Sequence, residues 1–151
     1  MENVLISACL YGEKCRYDGK DNLISDLCTL EKLCNLVPVC PEVSGGLPTP
    51  RNPSEISGEN VITNDGRNVT AEYEKGACAA LETALKYGCR LALMKAKSPS
   101  CGSGKIYDGS FSRTLTGGDG ITVKLLKKNG IKVFDETQID SLISLLSEEK
   151  E

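Results

Sequence analysis

Short apolar runs alternate along the chain with longer segments in which apolar side chains recur every three or four residues. The short runs are typical of buried strands, and the periodic segments are typical of helices packed on a sheet. A strand, a helix and a second strand in succession form a parallel pair with a right-handed crossover. We therefore expect an α/β fold: a three-layer, open, mainly parallel sheet of about four strands flanked by helices. The strands are expected over residues 3–8, 36–39, 91–94 and 131–134, and the helices over 23–35, 70–88, 121–128 and from 139 onward.

Local signals add detail to this framework. Pro38 predicts that the second strand lies at a sheet edge or ends there, because proline cannot donate to a sheet. The β-branched run 61–63, followed by Asn-Asp-Gly, predicts a small β-hairpin insertion. Thr70 is expected to cap the helix that follows. Asp135 and Gln138 have the spacing of a capping box before the last helix.

The glycine-rich segment 97–120 has no periodic pattern, and we expect a long loop without regular structure there. Loops of that length inside a compact domain are usually functional or disordered. Residues 1–151 contain no internal repeat and no composition break, so we expect one domain.

Several classes of protein are excluded or disfavoured at this point. No apolar run approaches the ~18 residues of a membrane span, so no membrane association is expected. The first residues lack a basic and then strongly apolar stretch, so they do not resemble a secretion signal. Eight cysteines without such a signal predict a reducing compartment, the cytoplasm. A net charge of −3 gives no overall attraction to nucleic acid.

The chain contains no histidine. A Ser-His-Asp triad, a Cys-His dyad and imidazole metal ligands are therefore excluded. A metal would have to be held by thiolate, carboxylate, hydroxyl or backbone groups. A general base would have to be a carboxylate, lysine, tyrosine or thiolate.

Three cysteines follow three of the predicted strands: Cys9, Cys40 and Cys101. Ligands of open α/β sheets bind beyond the carboxyl ends of the strands, so these thiols should converge at one edge. No two cysteines have CxxC spacing, which argues against a zinc knuckle or a thioredoxin motif. Widely separated thiolates suit an iron–sulfur cluster. On a four-iron cluster, three cysteines would leave one iron open to an outside ligand.

The remaining cysteines divide into two groups. Cys15 shares the first loop with Cys9, and we regard it as a residue near the site and a candidate fourth ligand. The other four lie on or beside predicted helices and strands and are expected to be small buried side chains. They are Cys28, Cys34, Cys78 and Cys89.

Polar residues stand beside the predicted ligands. Glu42, two residues after Cys40, is the best acid/base candidate in a chain without histidine. Ser98 and Ser100 precede Cys101, although turn chemistry alone would also explain serine there. Several cations in these loops form a local positive patch, which is too small to favour RNA binding. They are Arg16, Arg51, Lys97, Lys105 and Arg113, of which Arg16 and Lys97 are placed near the site.

Six short motifs in this order resemble the bacterial and archaeal family catalogued as domain of unknown function 523, whose characterised members are thiouracil desulfidases. The likeness covers nearly the whole chain, from Ser7 to the strand that contains Phe134. The motifs are residues 7–10, 15–19, 38–42, 45–48, 50–51 and 98–102.

The resemblance implies a 4Fe–4S cluster held by Cys9, Cys40 and Cys101, with one iron not bound by the protein. A cluster of that kind is lost readily in air. It also implies that Glu42 is the acid/base carboxylate and that Ser98, or else Ser100, is the catalytic serine. Arg113 departs from the family pattern, in which a small residue is expected before Thr114, and this affects the substrate pocket.

The implied function is redox-neutral desulfuration of a thioamide heterocycle such as 2-thiouracil, giving the oxo base and hydrosulfide. We hypothesise that Glu42 activates a water molecule and that Ser98 orients it. The expected partner is a small-molecule thiolated nucleobase, with a thiolated base in RNA less favoured. One alternative is a non-hydrolytic sulfur carrier or accessory protein that binds iron–sulfur or zinc. Another is a thiol redox protein, in which a reversible disulfide would replace the metal. An empty site or a Cys9–Cys101 disulfide in protein handled in air would be compatible with the desulfidase as well, because an open iron makes the cluster labile.

Overall fold

The computed structural model describes residues 1–150 and confirms the α/β fold. The strands and helices alternate as the apolar pattern predicts, and a 3₁₀ turn at Glu136–Gln138 precedes the last helix. In chain order the elements are β1 (Asn3–Ser7), α1 (Leu27–Leu33), β2 (Asn35–Val39), α2 (Pro41–Ser44), β3 (Ser54–Ser57), β4 (Asn60–Thr63), α3 (Thr70–Lys86), β5 (Leu91–Met94), β6 (Lys105–Tyr107), β7 (Leu115–Gly117), α4 (Ile121–Lys128), β8 (Lys132–Asp135) and α5 (Ile139–Lys150).

Four parallel strands form the central sheet, in the order β2-β1-β5-β8. β1 pairs with both β2 and β5, and β8 completes the sheet on the far side of β5. Pro38 lies opposite Ile6 in β2, which is an edge strand as the proline predicts. The carboxyl ends of all four strands consequently point to the same edge.

Helices cover both faces of the sheet and give three layers. Alternate side chains of a strand point to opposite faces, so Val4 and Ile6 pack on one face and Leu5 on the other. The first face is covered by α1 and α5 and the second by α3 and α4. The buried helix residues in these contacts are Leu30, Leu142 and Leu146 on the first face and Ala80, Ala84, Val123 and Leu126 on the second.

The helix α2 is not among the helices expected from the sequence. Its single turn lies directly against α3, backbone to backbone. A Cβ at Gly45 would come within 1.9 Å of the Glu72 carbonyl oxygen, and a Cβ at Gly76 within 1.8 Å of the Pro41 carbonyl oxygen. Only glycine permits this approach at either position, and the contact fixes the segment that immediately follows Cys40.

Two expectations about hairpins differ from the structure. Residues 61–63 do form a hairpin strand, but their partner lies upstream, in β3, and the connecting turn is Gly58-Glu59. The downstream turn at Asn64–Gly66 returns only to one bridge, between Ile62 and Asn68. The expectation of no regular structure over 97–120 is wrong, since β6 and β7 pair there as an antiparallel hairpin. Each strand has three residues, too few to produce a readable alternation of apolar side chains.

The helix ends agree with prediction only in part. α1 begins later than expected, at Leu27, and α3 is capped by Val69 rather than by Thr70. The Thr70 hydroxyl instead accepts a hydrogen bond from the Val61 N–H at 2.8 Å, tying the helix to β4. The capping box of Asp135 and Gln138 is confirmed, on the 3₁₀ turn before α5. Among residues 1–150, no helix is long and apolar enough to cross a membrane.

Candidate metal and catalytic site

A cavity of about 680 Å³ opens at the carboxyl edge of the sheet. Cys9 enters it from the loop after β1 and Cys40 from the end of β2. Cys101 enters it from the segment after β5. The three loops that the sequence pattern assigns to one edge therefore meet there. We call this surface, with Cys9, Cys40, Glu42 and Cys101, the inner wall.

Cys15 lies among the same thiols. Its side chain is within hydrogen-bonding distance of both the Cys9 and the Cys40 thiols. The Sγ atom of Cys40 is 3.9 Å from the Cys15 carbonyl oxygen. Cys101 is buried, and its thiol is hydrogen-bonded with the Ser7 hydroxyl. The structure thus brings four thiols to one cavity.

The contacts between these thiols separate their pKa values. The hydrogen bond with Cys15 lowers the pKa of Cys9 to about 7, although burial opposes the change. The same kind of hydrogen bond lowers the pKa of Cys40. The pKa of Cys15 is raised by its contacts with Cys40 and Cys9, and burial raises the pKa of Cys101. The lowered pKa favours the thiolate form of Cys9, which is the form that binds metal.

The other four cysteines lie away from the cavity. Cys34 and Cys89 are buried, as expected for small apolar side chains. The same expectation is wrong for Cys28 and Cys78, which are exposed on α1 and α3. Each follows an inward-facing or partly buried residue by one position, and one step along a helix rotates a side chain by about 100°. A cysteine one position away from the apolar face of a helix can therefore be exposed, as Cys28 and Cys78 are.

Glu42 projects from α2 into the cavity, where Arg51 holds one of its carboxylate oxygens. Arg51 Nε and Nη2 donate to Glu42 Oε2 at 2.9 Å and 2.7 Å. The Arg51 side chain is only 6% exposed and that of Glu42 16% exposed, so solvent screens this pair weakly. The other oxygen, Oε1, is 3.5 Å from the Ser98 hydroxyl, which donates to it.

Ser98 is fixed from two further directions. Its oxygen accepts hydrogen bonds from the backbone N–H groups of Ser100 and Cys101, both at 3.1 Å. With its acceptor positions used in this way, the hydroxyl directs its proton towards Glu42. Ser100 is fully buried, and its hydroxyl bonds to Thr122 at 2.7 Å rather than facing the cavity. The two serines that the sequence leaves as alternatives thus occupy different environments.

The structure places the predicted loop cations in different surroundings. Arg16 lines the cavity, but its guanidinium donates to Asp18 and Asn22 at 3.0 Å and so stabilises its own loop. Lys97 lines the cavity in a left-handed conformation, with φ of 69°. Arg113 lines it with φ of 61°. Lys105 does not contribute to the cavity wall.

Sequence reasoning missed two roles. The sequence places Arg51 among the loop cations and in the Pro-Arg motif at residues 50–51, but it does not connect Arg51 with Glu42. Lys95, at the end of β5, was not singled out, yet it lines the cavity and its charge lowers the pKa of Cys9 after larger effects from Cys15, burial and Asn22. Its ammonium is 2.6 Å from Glu136. Its place directly after a buried strand was the signal that could have identified it.

Residues 107–113 form a second wall of the cavity, which we call the outer wall. Tyr107, Phe111 and Arg113 line the cavity from this segment. The buried carboxylate of Glu55 accepts the N–H groups of Gly109 and Phe111 at 3.0 Å and 3.2 Å. The outer wall is thereby fastened to β3, although Phe111 itself stays 39% exposed.

Comparison with known proteins identifies the family. The model of the 2-thiouracil desulfurase family matches residues 4–138, which include all four cavity thiols, Glu42, Arg51 and Ser98. The chain belongs to this family.

Two relatives cover nearly all of the chain. A 4Fe–4S-dependent thiouracil desulfidase, TudS, is 46% identical and superposes with a TM-score of 0.91, over 97% of this chain and 99% of its own. The uncharacterized protein YbbK of Bacillus subtilis (strain 168) is 37% identical over 150 residues, which are 93% of this chain and 99% of YbbK. The α/β architecture and the two small antiparallel hairpins therefore belong to a family fold that includes an iron–sulfur enzyme.

The side chains of the cavity fit an iron–sulfur cluster. Thiols are its usual protein ligands, and four of them lie together here at the carboxyl edge of the sheet. Cys9, Cys40 and Cys101, which reach the cavity from three loops, are the residues that would hold such a group, with Cys15 beside them.

Proposed function

We propose that this member of the 2-thiouracil desulfurase family is a 4Fe–4S-dependent desulfidase that hydrolyses the thiocarbonyl group of a thiolated nucleobase. The reaction consumes one water molecule, converts C=S into C=O and releases the sulfur as hydrosulfide, with no net oxidation or reduction. The observation that carries the proposal is the hydrogen-bonded set of Arg51, Glu42 and Ser98 beside a group of cavity thiols. The family and the thiouracil desulfidase TudS support the same reaction.

Cys9, Cys40 and Cys101 would hold the cluster through three irons. When bound, the cluster supplies a fourth iron, a Lewis acid with affinity for sulfur that polarises the thiocarbonyl bond of the substrate. The lowered pKa values of Cys9 and Cys40 favour their thiolate forms, which are the forms that bind metal.

Glu42 is proposed to move the protons. Arg51 occupies Oε2 with two hydrogen bonds, so Oε1, which contacts Ser98, is the oxygen left to bind a water molecule. A water molecule at Oε1 would give one proton to Glu42 as its oxygen adds to the thiocarbonyl carbon. The same carboxyl group then returns that proton to the departing sulfur as the C–S bond breaks, which regenerates Glu42. The second proton of the water leaves the new oxygen for solvent as the C=O bond forms.

Ser98 is proposed to orient the water. Its oxygen is anchored by two backbone N–H groups and its proton is directed at Glu42. A water that replaces this long 3.5 Å contact can bond to both groups at once. Ser100 takes no part, because it is buried against Thr122.

The substrate is proposed to be a small molecule. A cavity of about 680 Å³ lies in the range of ~300–1,000 Å³ for small-molecule sites. The exposed rings of Tyr17 and Phe111 at its wall suit a flat heterocycle. Arg16 is occupied within its own loop, which leaves few cavity cations for a polyanion such as RNA.

The decisive test is anaerobic reconstitution with iron and sulfide, followed by measurement of hydrosulfide release from 2-thiouracil. We expect release by the wild-type protein and a loss of ~10²–10⁴-fold in kcat for Glu42→Gln, with iron and sulfide content unchanged. Glu59→Gln is the matched control, since Glu59 lies in the exposed turn between β3 and β4. A fully loaded wild-type protein that releases no hydrosulfide from a panel of thionucleobases would instead support a sulfur carrier.

A further inference from the structure

We propose that Glu55 recognises the substrate ring: its carboxylate oxygen Oε2 accepts a hydrogen bond from a ring N–H group of the thiolated nucleobase. The inference deepens the proposed function and rests on it, because it concerns the substrate of the same cavity. It gives Glu55 a role in binding and none in the hydrolytic steps. It also restricts the substrates to heterocycles that carry at least one ring N–H group.

Glu55 is a buried carboxylate without a cation beside it. The residue is 8% exposed and lines the cavity. Buried carboxylates are usually paired, because moving a charge out of water is costly. Among the side chains that the structure describes, no lysine or arginine forms an ion pair with Glu55. Glu42, which also lines the cavity, is by contrast held by Arg51. The charge of Glu55 therefore depends on other hydrogen-bond donors for its stabilisation.

The protein supplies donors to one oxygen of this carboxylate. Oε1 accepts the backbone N–H groups of Gly109 and Phe111 at 3.0 Å and 3.2 Å. No group in the described part of the chain donates to Oε2, and this atom is not sealed away from solvent. Because Glu55 lines the cavity, Oε2 is open to a donor on a bound ligand.

Fastening the outer wall does not explain a carboxylate at this position. An amide carbonyl oxygen also has two lone pairs and accepts two N–H groups, so glutamine would hold Gly109 and Phe111 equally well. The second oxygen and the negative charge are additional to that structural role. Both are explained if the cavity binds a ligand that carries an N–H donor.

The chemistry of the proposed substrate matches this acceptor. 2-Thiouracil carries a ring N–H group on each side of its thiocarbonyl carbon. A hydrogen bond from an N–H group to a carboxylate is roughly twice as strong as one between neutral groups. A cavity that binds a substrate N–H with a buried acceptor rejects analogues that lack it, because the acceptor is then left unpaired. Glu55 would thus select and orient the ring while Glu42 and Ser98 act on the thiocarbonyl group.

The test compares the reconstituted wild-type protein with Glu55→Gln. Glutamine keeps a carbonyl oxygen for Gly109 and Phe111 but replaces the open acceptor with an NH₂ donor. We expect KM for 2-thiouracil to rise ~10–100-fold, with kcat and iron content retained because the hydrolytic groups are unchanged. Glu59→Gln, an exposed residue of the same hairpin, is the matched control and should behave like the wild type.

Ligands that lack one N–H group identify the hydrogen bond directly. For one of 1-methyl-2-thiouracil and 3-methyl-2-thiouracil, Glu55→Gln should cause no further rise in KM, whereas for the other the rise should persist. Calorimetric binding of uracil and its two monomethyl derivatives to the loaded protein should show the same pattern without turnover. In the wild-type protein alone, 1,3-dimethyluracil should bind at least ~10-fold more weakly than uracil.

The outcomes separate the two proposals. Equal KM values in wild type and Glu55→Gln, an equal loss for all the ligands, or wild-type binding of 1,3-dimethyluracil as tight as that of uracil would each overturn the role of Glu55. Hydrosulfide release by the wild type would still support the desulfidase in these cases. If the wild type releases no hydrosulfide, the proposed function fails, and uracil binding decides the role of Glu55: dependence on Glu55 supports it, and absence of binding overturns it.

Discussion

The inner wall of the cavity is built at the ends of buried strands, whereas the outer wall is a surface segment fastened to a hairpin. Cys9 and Cys101 on the inner wall are buried. On the outer wall, Phe111 and Arg113 are exposed and adopt left-handed backbone conformations. The carboxylate of Glu55 ties the outer wall to β3. On the proposed mechanism, the chemistry takes place at the inner wall and the substrate ring contacts the outer wall.

The largest effect on activity is expected from removing Cys101, the most buried thiol of the inner wall. Cys101→Ala should abolish stable assembly of the cluster and all hydrosulfide release, because it removes one of the three proposed ligands. The backbone N–H of Cys101 donates to the Ser98 hydroxyl, which holds this ligand in place. Iron and sulfide analysis after anaerobic reconstitution gives the measurement. The control is Cys89→Ala, also buried but outside the cavity, which should keep its cluster. Full iron content in Cys101→Ala would remove Cys101 from the ligand set.

The next largest effect is expected from the cation that orients Glu42. Arg51→Lys keeps the charge but cannot reproduce the pair of hydrogen bonds to Oε2. Because displacement of a catalytic group by about 1 Å can cost ~10²-fold, we expect kcat to fall by roughly that factor. Steady-state kinetics with iron content as the control measure it. Unchanged kcat at full iron content would show that Glu42 does not depend on Arg51.

The outer wall should affect binding more than chemistry. Phe111→Ala removes a ring from the cavity mouth, and an aromatic contact of about 1 kcal/mol corresponds to a rise in KM of roughly fivefold with kcat retained. The matched control is Tyr87→Ala, an exposed ring at the end of α3, where no kinetic change is expected. A large fall in kcat with unchanged KM would contradict the division between the walls.

The smallest effect concerns ionisation on the inner wall in the metal-free protein. The pKa of Cys9 is lowered to about 7, first by the hydrogen bond with Cys15, so its alkylation rate should rise as pH increases and reach half its maximum near pH 7. In Cys15→Ala the midpoint should move to higher pH, because the thiolate of Cys9 loses its hydrogen-bond donor. Mass-spectrometric alkylation rates between pH 6 and pH 10, roughly the span around the ordinary thiol value, give both midpoints. Identical midpoints would show that Cys15 does not stabilise the Cys9 thiolate.

Sequence patterns were most informative for the inner wall. Strand ends in a parallel sheet meet at one edge, so the position of each cysteine after an apolar run was enough to bring Cys9, Cys40 and Cys101 together. Glu42 followed from its distance of two residues from Cys40. These inferences need only the order of elements along the chain, which periodicity predicts well.

The sequence was less informative where a contact joins distant segments. Nothing local to Arg51 predicts that it bonds both to Glu42 and to the carbonyl of Cys15, since that depends on how two loops fold against each other. The strands β6 and β7 are too short for their pattern to be recognised. Cys28 and Cys78 illustrate a third limit, because a pattern that marks one helix face does not define its border to within one residue. The cytoplasmic location remains a prediction from cysteine content alone.

Gly76, in the middle of α3, affects how this chain tolerates substitution. Glycine inside a helix costs about 1 kcal/mol relative to alanine, so Gly76→Ala would be an obvious choice for anyone stabilising the fold. The added methyl group would nevertheless collide with the Pro41 carbonyl and push away the short helix that carries Glu42. A position that contacts neither thiols nor substrate thus links stability to activity, and selection for a firmer helix would be opposed by selection for a working site.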